Sequence, residues 1–279
     1  MPITRLEPRK IEKIWGRRDL SPPFGPISPD KPPVGEIWFE GERTGDDALL
    51  VKYLFTSEKL SVQVHPDEEA ARLRGLPGGK EEAWWVVAAE EGATIGLGLR
   101  ERIDRETLRS AALDGSIERL LDWREASAGD HVYLPAGTIH ALGPGLAVVE
   151  VQQNADVTYR LFDYGRDREL HLEAAVAVAN PGPYEAPLPS YELGPGRTVL
   201  AHGRAFVLER WSGPRSGRID AEESIWIVPL GGSAAIGEEE LHPGGVWRVE
   251  GEAAYALYDG GHLLAAYAGG EVRHGLVRD

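Results

Sequence analysis

"GDHVYLPAGTIHALG", residues 129–143, reads as a strand, a tight turn and the start of a second strand. "HVYLP" (131–135) is the first run. Pro135 and Gly137 shape the turn, and the next strand opens near His140. Upstream, "LSVQVHPDEEAARLRGLPGGKEEAWW" (60–85) begins with Leu60, Val62 and Val64 alternating against Ser61, Gln63 and His65. Side chains two apart in a strand share a face, so Gln63 and His65 point the same way, with Ser61 beside them. The stretch breaks at Pro66, turns helix-like and polar, and reopens on Lys80, Glu81, Glu82 and two tryptophans.

The same pattern of short apolar runs between turn residues recurs along the chain. Strands are expected at 35–41, 48–55, 60–65, 83–89, 93–99, 131–135 and 146–153. The 34 glycines and 20 prolines punctuate them. Helices are expected at 67–74, where Asp67 offers an N-cap and Glu68 and Glu69 fill the first turn, at 104–125 around a central Gly115, and at 171–179. "NPGPYEAPLPSYELGPG" (180–196) reads as a linker, after which residues 197–279 are strand-like again. The expected fold is mainly β: two sandwich or barrel units, the first elaborated with helices and spanning 1–185, the second spanning 186–279.

The chain of 279 residues is 42% apolar, enough for a sizeable core. Its net charge of −15 argues against nucleic acid or anionic lipid as a partner. It also means that an anionic substrate would need a locally positive site, which screening beyond about 8 Å permits. The absence of cysteine excludes disulfides, thiolate catalysis and cysteine metal sites. No apolar run approaches the roughly 20 residues of a membrane span, and the charged N-terminus lacks the apolar core of a secretory signal. A cytoplasmic enzyme or binding protein is expected.

Each chemical residue has a plain alternative. A Gln-x-His pair is often a polar strand face meeting water. Lys52 could be a solvated edge charge, Lys80–Glu81–Glu82 a hairpin charge cluster, and Arg160 a structural partner of Asp156. Trp84 and Trp85 read as core and inter-unit contacts, and His131 as structural. His171, His202, His242, His262 and His274 have no partners at ligand spacing. Gln63, His65, His140 and the carboxylates at 81 and 82 nevertheless offer a nitrogen and oxygen set suited to a first-row divalent ion.

The spacing Gly129, Pro135, Gly137, His140 resembles the second signature of the cupin superfamily, double-stranded jelly rolls that hold a metal inside the barrel. "LSVQVHP", "GKEEAWW", "PAGTIHALG" and "EVQQNADVTYRLFDYGR" (150–166) then resemble, in order, the motif blocks of type I phosphomannose isomerase. "KIWG" (13–16) and "GEIWFEG" (35–41) echo it further. The likeness covers about residues 13–175 and suggests the short bacterial form, with two cupin domains.

That resemblance implies interconversion of mannose 6-phosphate and fructose 6-phosphate with a bound Zn2+. It places metal ligands on Gln63, His65, Glu82 and His140, choosing Glu82 over Glu81. It puts the active-site arginine on Arg160, the phosphate-end lysine and serine on Lys52 and Ser61, and a further basic residue on Arg166. Lys80 is the acid–base candidate, since a cation two residues from a metal ligand could have a lowered pKa. A cupin oxygenase with a two-histidine, one-carboxylate triad, or a non-catalytic sugar-binding module, are the competing readings.

Overall fold

Several strands are buried on both faces, Leu49–Phe55 along its whole length, while others such as Tyr159–Phe162 alternate. A computed structural model of the chain describes residues 3–41 and 47–278. It contains three sheets. A six-stranded antiparallel sheet runs in the order Glu7–Arg17, Val34–Glu40, Leu49–Phe55, Leu146–Gln153, Glu82–Ala89, His131–Leu134. A five-stranded sheet follows the order Tyr159–Phe162, Val62–Val64, His140–Leu142, Thr94–Leu99, Leu121–Glu125. Leu54, Trp84, Val86 and Val148 of the first pack against Ile95, Leu97 and Leu142 of the second, closing a jelly roll around its own core.

The third sheet has ten strands and folds around Val199, Trp211, Ile225, Trp247 and Leu263. Its next-door residues, Leu200, Phe206, Trp226, Val228 and Leu264, face the other way. They pack on Ile37, Phe39, Val51, Tyr53 and Trp85 of the six-stranded sheet in one continuous core. This is why "SIWIVP" (224–229) is apolar on both faces, and why Trp84 and Trp85 are both buried: one points into the jelly roll, the other toward the third sheet. The fold is mainly β and of the cupin kind, as expected.

Three local readings need correction. The expected helix at 104–125 is two helices and a strand. Asp104 caps the helix Arg105–Asp114, accepting from the Thr107 N–H at 2.7 Å. Gly115, at φ 78°, ends it in the left-handed region, where any Cβ would lie 2.9 Å from Phe162 Cζ. A short helix Ile117–Leu120 follows, and Leu121–Glu125 is then taken by the edge of Thr94–Leu99 as a strand. The linker region 180–196 contains the strand Tyr191–Gly194, paired with Arg197–His202. The charged N-terminus forms the long strand Glu7–Arg17, and Ile3–Arg5 before it pairs with Trp247–Leu257 of the ten-stranded sheet. Among the described residues, no helix is long and apolar enough to cross a membrane.

Candidate metal centre and active site

Strand register brings the chemistry together. In the five-stranded sheet, Arg160 and His140 lie on either side of Gln63 as its cross-strand partners, one row across three strands. In the six-stranded sheet, Glu82 pairs with Gln152, and Glu150 pairs with both Trp84 and Lys52. These side chains face the interior of the jelly roll, so two rows from opposite sheets meet inside it.

His65, Glu82 and His140 are buried, and their ligand atoms all lie within 4.8 Å of one another. His140 Nε2 is 3.2 Å from Glu82 Oε1, and His65 Nε2 is 3.4 Å from Glu82 Oε2. Each imidazole donates its Nδ1–H to a backbone carbonyl: His65 to Val157 O at 2.8 Å, His140 to Thr138 O at 2.9 Å. That fixes both tautomers with an Nε2 lone pair facing the carboxylate. Burial drives both histidines toward the neutral form, and Lys80 helps push the His65 pKa down to about 3. Burial opposes ionisation of Glu82, but the Lys80 ammonium leads the opposing effects and the carboxyl is held well below its ordinary value.

Neither Glu82 oxygen accepts a well-angled hydrogen bond, although Lys80 Nζ lies 2.9 Å from Oε2. Lys80, also 3.4 Å from His65 Nε2, answers one side of the cluster, but Glu82 Oε1 and the His140 Nε2 lone pair face each other at 3.2 Å and repel unless a further cation sits among them. Ligands about 2.1 Å from a tetrahedral ion stand about 3.4 Å apart, close to the separations here. The Gln63 side-chain amide lies beside this group, 3.2 Å from His140 Nε2, and either end of the amide can be turned toward the centre. The residues present fit a divalent ion.

Above this centre opens a cleft of about 550 Å³, lined by Trp15, Glu36, Trp38, Ser61 and Asp156 among others, and by six basic side chains. That volume accommodates one small ligand. Lys52 is buried at its floor, donating to Gln152 Oε1 at 2.6 Å, 3.4 Å from Glu150 Oε1 and 4.3 Å above the Trp38 ring. Burial pulls the Lys52 pKa down. Ser61 is also buried, its hydroxyl donating to Gln63 Oε1 at 3.3 Å. Lys80 lines the cleft as expected, but its pKa moves the opposite way. Burial would lower it, and the carboxylates of Glu82 and Glu150 outweigh burial and raise it above the ordinary lysine value.

Arg160 reaches the cleft wall, its Nη1 donating to Glu169 O at 2.9 Å. Among the described residues it makes no ion pair with Asp156. Arg166 is outside the cleft lining. It folds back onto its own loop, donating to Lys59 O at 2.5 Å and sitting 3.3 Å from Asp163 Oδ1. Arg168 takes the place in the wall that the sequence reading gave to Arg166. Glu150, Arg168 and His171 also line the cleft, and that reading gave none of them a role. Glu150 had a signal, a charge inside the apolar run "LAVVEVQQ". Arg168 and His171 had none, because only the fold carries their loop to the cleft.

A jelly roll with oriented imidazoles and a buried carboxylate under a basic cleft is built as a metal-dependent cupin enzyme. No family model matches the chain. It is 30% identical to mannose-6-phosphate isomerase of Streptococcus mutans over 304 aligned residues, covering 93% of this chain and 90% of that one. It is 31% identical to mannose-6-phosphate isomerase ManA of Bacillus subtilis, covering 86% and 78%. The crystal structure of the Bacillus subtilis mannose 6-phosphate isomerase superposes with a TM-score of 0.80 at 27% identity, covering 96% of this chain and all of that one. The chain belongs to the mannose-6-phosphate isomerase family.

Proposed function

We propose that this chain interconverts mannose 6-phosphate and fructose 6-phosphate, using a Zn2+ ion held by Gln63, His65, Glu82 and His140. The observation that carries the reading is the Glu82 carboxylate, fully buried and lacking a well-angled donor, with two imidazole Nε2 atoms aimed at it beneath the cleft. Two neutral imidazoles, an amide and one carboxylate leave a divalent ion a formal charge of +1. When bound, it supplies Lewis acidity to the sugar oxygens at C1 and C2.

The protein does the rest. Aldose–ketose isomerisation removes a weakly acidic C–H proton and leaves negative charge on oxygen. Arg160, one strand from Gln63, supplies fixed positive charge where that oxyanion forms. Lys80 remains protonated and adds a second fixed charge. Glu150 lines the cleft without a metal-binding role, one oxygen fixed by Trp84 Nε1 at 2.9 Å and the other beside Lys52. We assign the proton transfer between C1 and C2 to Glu150, with Lys52 as its charged partner. Lys52 and Ser61 thus belong to the reacting end of the sugar, since both are sunk in the floor beside the metal ligands. The charged sugar phosphate supports a cytoplasmic setting.

The test is a coupled assay with mannose 6-phosphate before and after chelation and metal restoration. Turnover lost on chelation and recovered with Zn2+ is expected. No turnover with any restored divalent ion rejects the reading. Glu150→Gln should then lower kcat by about 10²–10⁴-fold with metal content unchanged.

A further inference from the structure

Six basic side chains line the cleft, and four are matched by a carboxylate of their own. Arg9 holds Glu40 at 2.7 Å, Lys13 holds Glu36 at 3.0 Å, Lys52 lies 3.4 Å from Glu150, and Lys80 lies 2.9 Å from Glu82. The other two are different. Among the described residues Arg160 has no carboxylate in ion-pair contact, only the Glu169 carbonyl. Arg168 grips Asp163 with Nε and Nη2, both at 2.6 Å, but Asp163 also serves Arg166 at 3.3 Å. Asp163 and, 4.0 Å from Arg166, the exposed Glu58 are the carboxylates in ion-pair contact with the three guanidiniums of Arg160, Arg166 and Arg168, so this stretch of wall carries surplus positive charge. Arg168 is close enough for its charge to depress the pKa of Arg160, second only to burial.

His171 adds a donor. Its backbone N–H bonds to Arg160 O at 2.9 Å, and its ring Nδ1 accepts the Arg160 N–H at 3.3 Å. An Nδ1 that accepts is unprotonated, so the ring proton sits on Nε2, and the ring lines the cleft. The side chain is pinned to the Arg160 strand on one edge, and its opposite edge is a donor.

We propose that Arg168 and His171, beside Arg160, form the anion-binding end of the cleft and hold the phosphate group of the hexose phosphate. The proposal rests on the isomerase reading for the identity of the substrate. A phosphate dianion at the floor would lie between Glu150 and the Glu82 centre, where Lys52 is already committed. At this wall it meets unneutralised guanidinium charge and a neutral N–H donor. Asp163 fixes the Arg168 fork, which makes the site ready without reordering a long side chain.

Steady-state kinetics with mannose 6-phosphate on zinc-loaded wild type, Arg168→Ala and His171→Ala tests this. Inorganic phosphate serves both as competitor and as a calorimetric titrant. Removing one charge-assisted hydrogen bond should raise KM and weaken phosphate binding by about 10- to 100-fold in Arg168→Ala. His171→Ala should shift both the same way by a smaller factor. In both variants kcat should stay within about threefold and metal content should be unchanged, and Arg168→Lys should recover part of the loss. A loop merely unsettled by the substitution would lower melting temperature without this split between KM and kcat. Wild-type turnover with unchanged KM and unchanged phosphate affinity in both variants overturns the proposal. If wild type fails to isomerise, the substrate identity falls, and the phosphate titration alone still decides the anion site: affinity unaltered in Arg168→Ala rejects it.

Discussion

Substituting Glu82 and Gln63 separately should divide metal binding from folding, because only one of them neutralises a buried charge. Glu82 is wholly buried and 2.9 Å from Lys80, itself only 5% exposed. Glu82→Ala leaves that ammonium without its counter-charge. Breaking a buried pair from one side costs about 3–5 kcal/mol. At about 2 °C per kcal/mol for a chain of this size, the metal-free melting temperature should fall by about 6–10 °C. Gln63 is neutral and half-buried, and its contacts are those to Ser61 and His140. Gln63→Ala should cost about 1 kcal/mol, or about 2 °C. Both variants should bind metal more weakly, so saturating Zn2+ should raise their melting temperatures less than that of wild type. Scanning calorimetry on chelated and loaded protein, with metal content measured after dialysis, reads both effects. A chelated Glu82→Ala protein that melts within about 2 °C of chelated wild type refutes the charge-pair reasoning. Full metal retention by Gln63→Ala refutes the amide as a ligand.

Two further expectations concern regions away from the centre. In the ten-stranded sheet, Arg197 forks onto buried Glu209 at 2.9 and 2.7 Å, while Trp211 and Tyr267 donate to the same carboxylate. Arg197→Met should destabilise the fold by about 3–5 kcal/mol in urea denaturation and leave KM alone; a loss below about 1 kcal/mol contradicts the reading. His131, stacked on Trp85, has its pKa lowered by burial and then by Arg210. The unfolded chain titrates near about 6.5 and takes up that proton first, so acidification below this value favours unfolding. His131→Gln should flatten the slope of stability against pH on the acid side, and an unchanged slope would show that His131 does not contribute.

The jelly roll was readable because its central strands are short, almost wholly buried apolar runs bounded by turn residues. Leu49–Phe55, Glu82–Ala89, Thr94–Leu99 and Leu146–Gln153 fall almost where apolar period and turn residues put them. Leu121–Glu125 was not readable. Its pattern continues a helical one, and only the open edge of Thr94–Leu99 makes it a strand. Glu7–Arg17 carries too many charges to look like a strand, yet its residues pair along Val34–Glu40. At the centre, strand period puts Gln63 and His65 on one face, and the turn at Pro135–Gly137 positions His140. The environment of each charge was less legible. The rise in the Lys80 pKa comes first from Glu82 and then from Glu150, seventy residues away in sequence, and the turning of Arg166 toward Asp163 depends on a loop conformation that no local pattern announces.

The pairing of Ile3–Arg5 with Trp247–Val249 bears on how the protein is made. The three residues Ile3–Arg5 have their hydrogen-bonding partners in a strand synthesised much later in the chain. Until Trp247–Leu257 is made, Ile3–Arg5 has no mate, and the outer face of the six-stranded sheet lies bare where the third sheet will cover it. The nascent chain therefore passes through a stage with a sticky, half-clad barrel. The third sheet acts as the fastener, and weakening its apolar contact with the barrel should harm solubility before it harms chemistry.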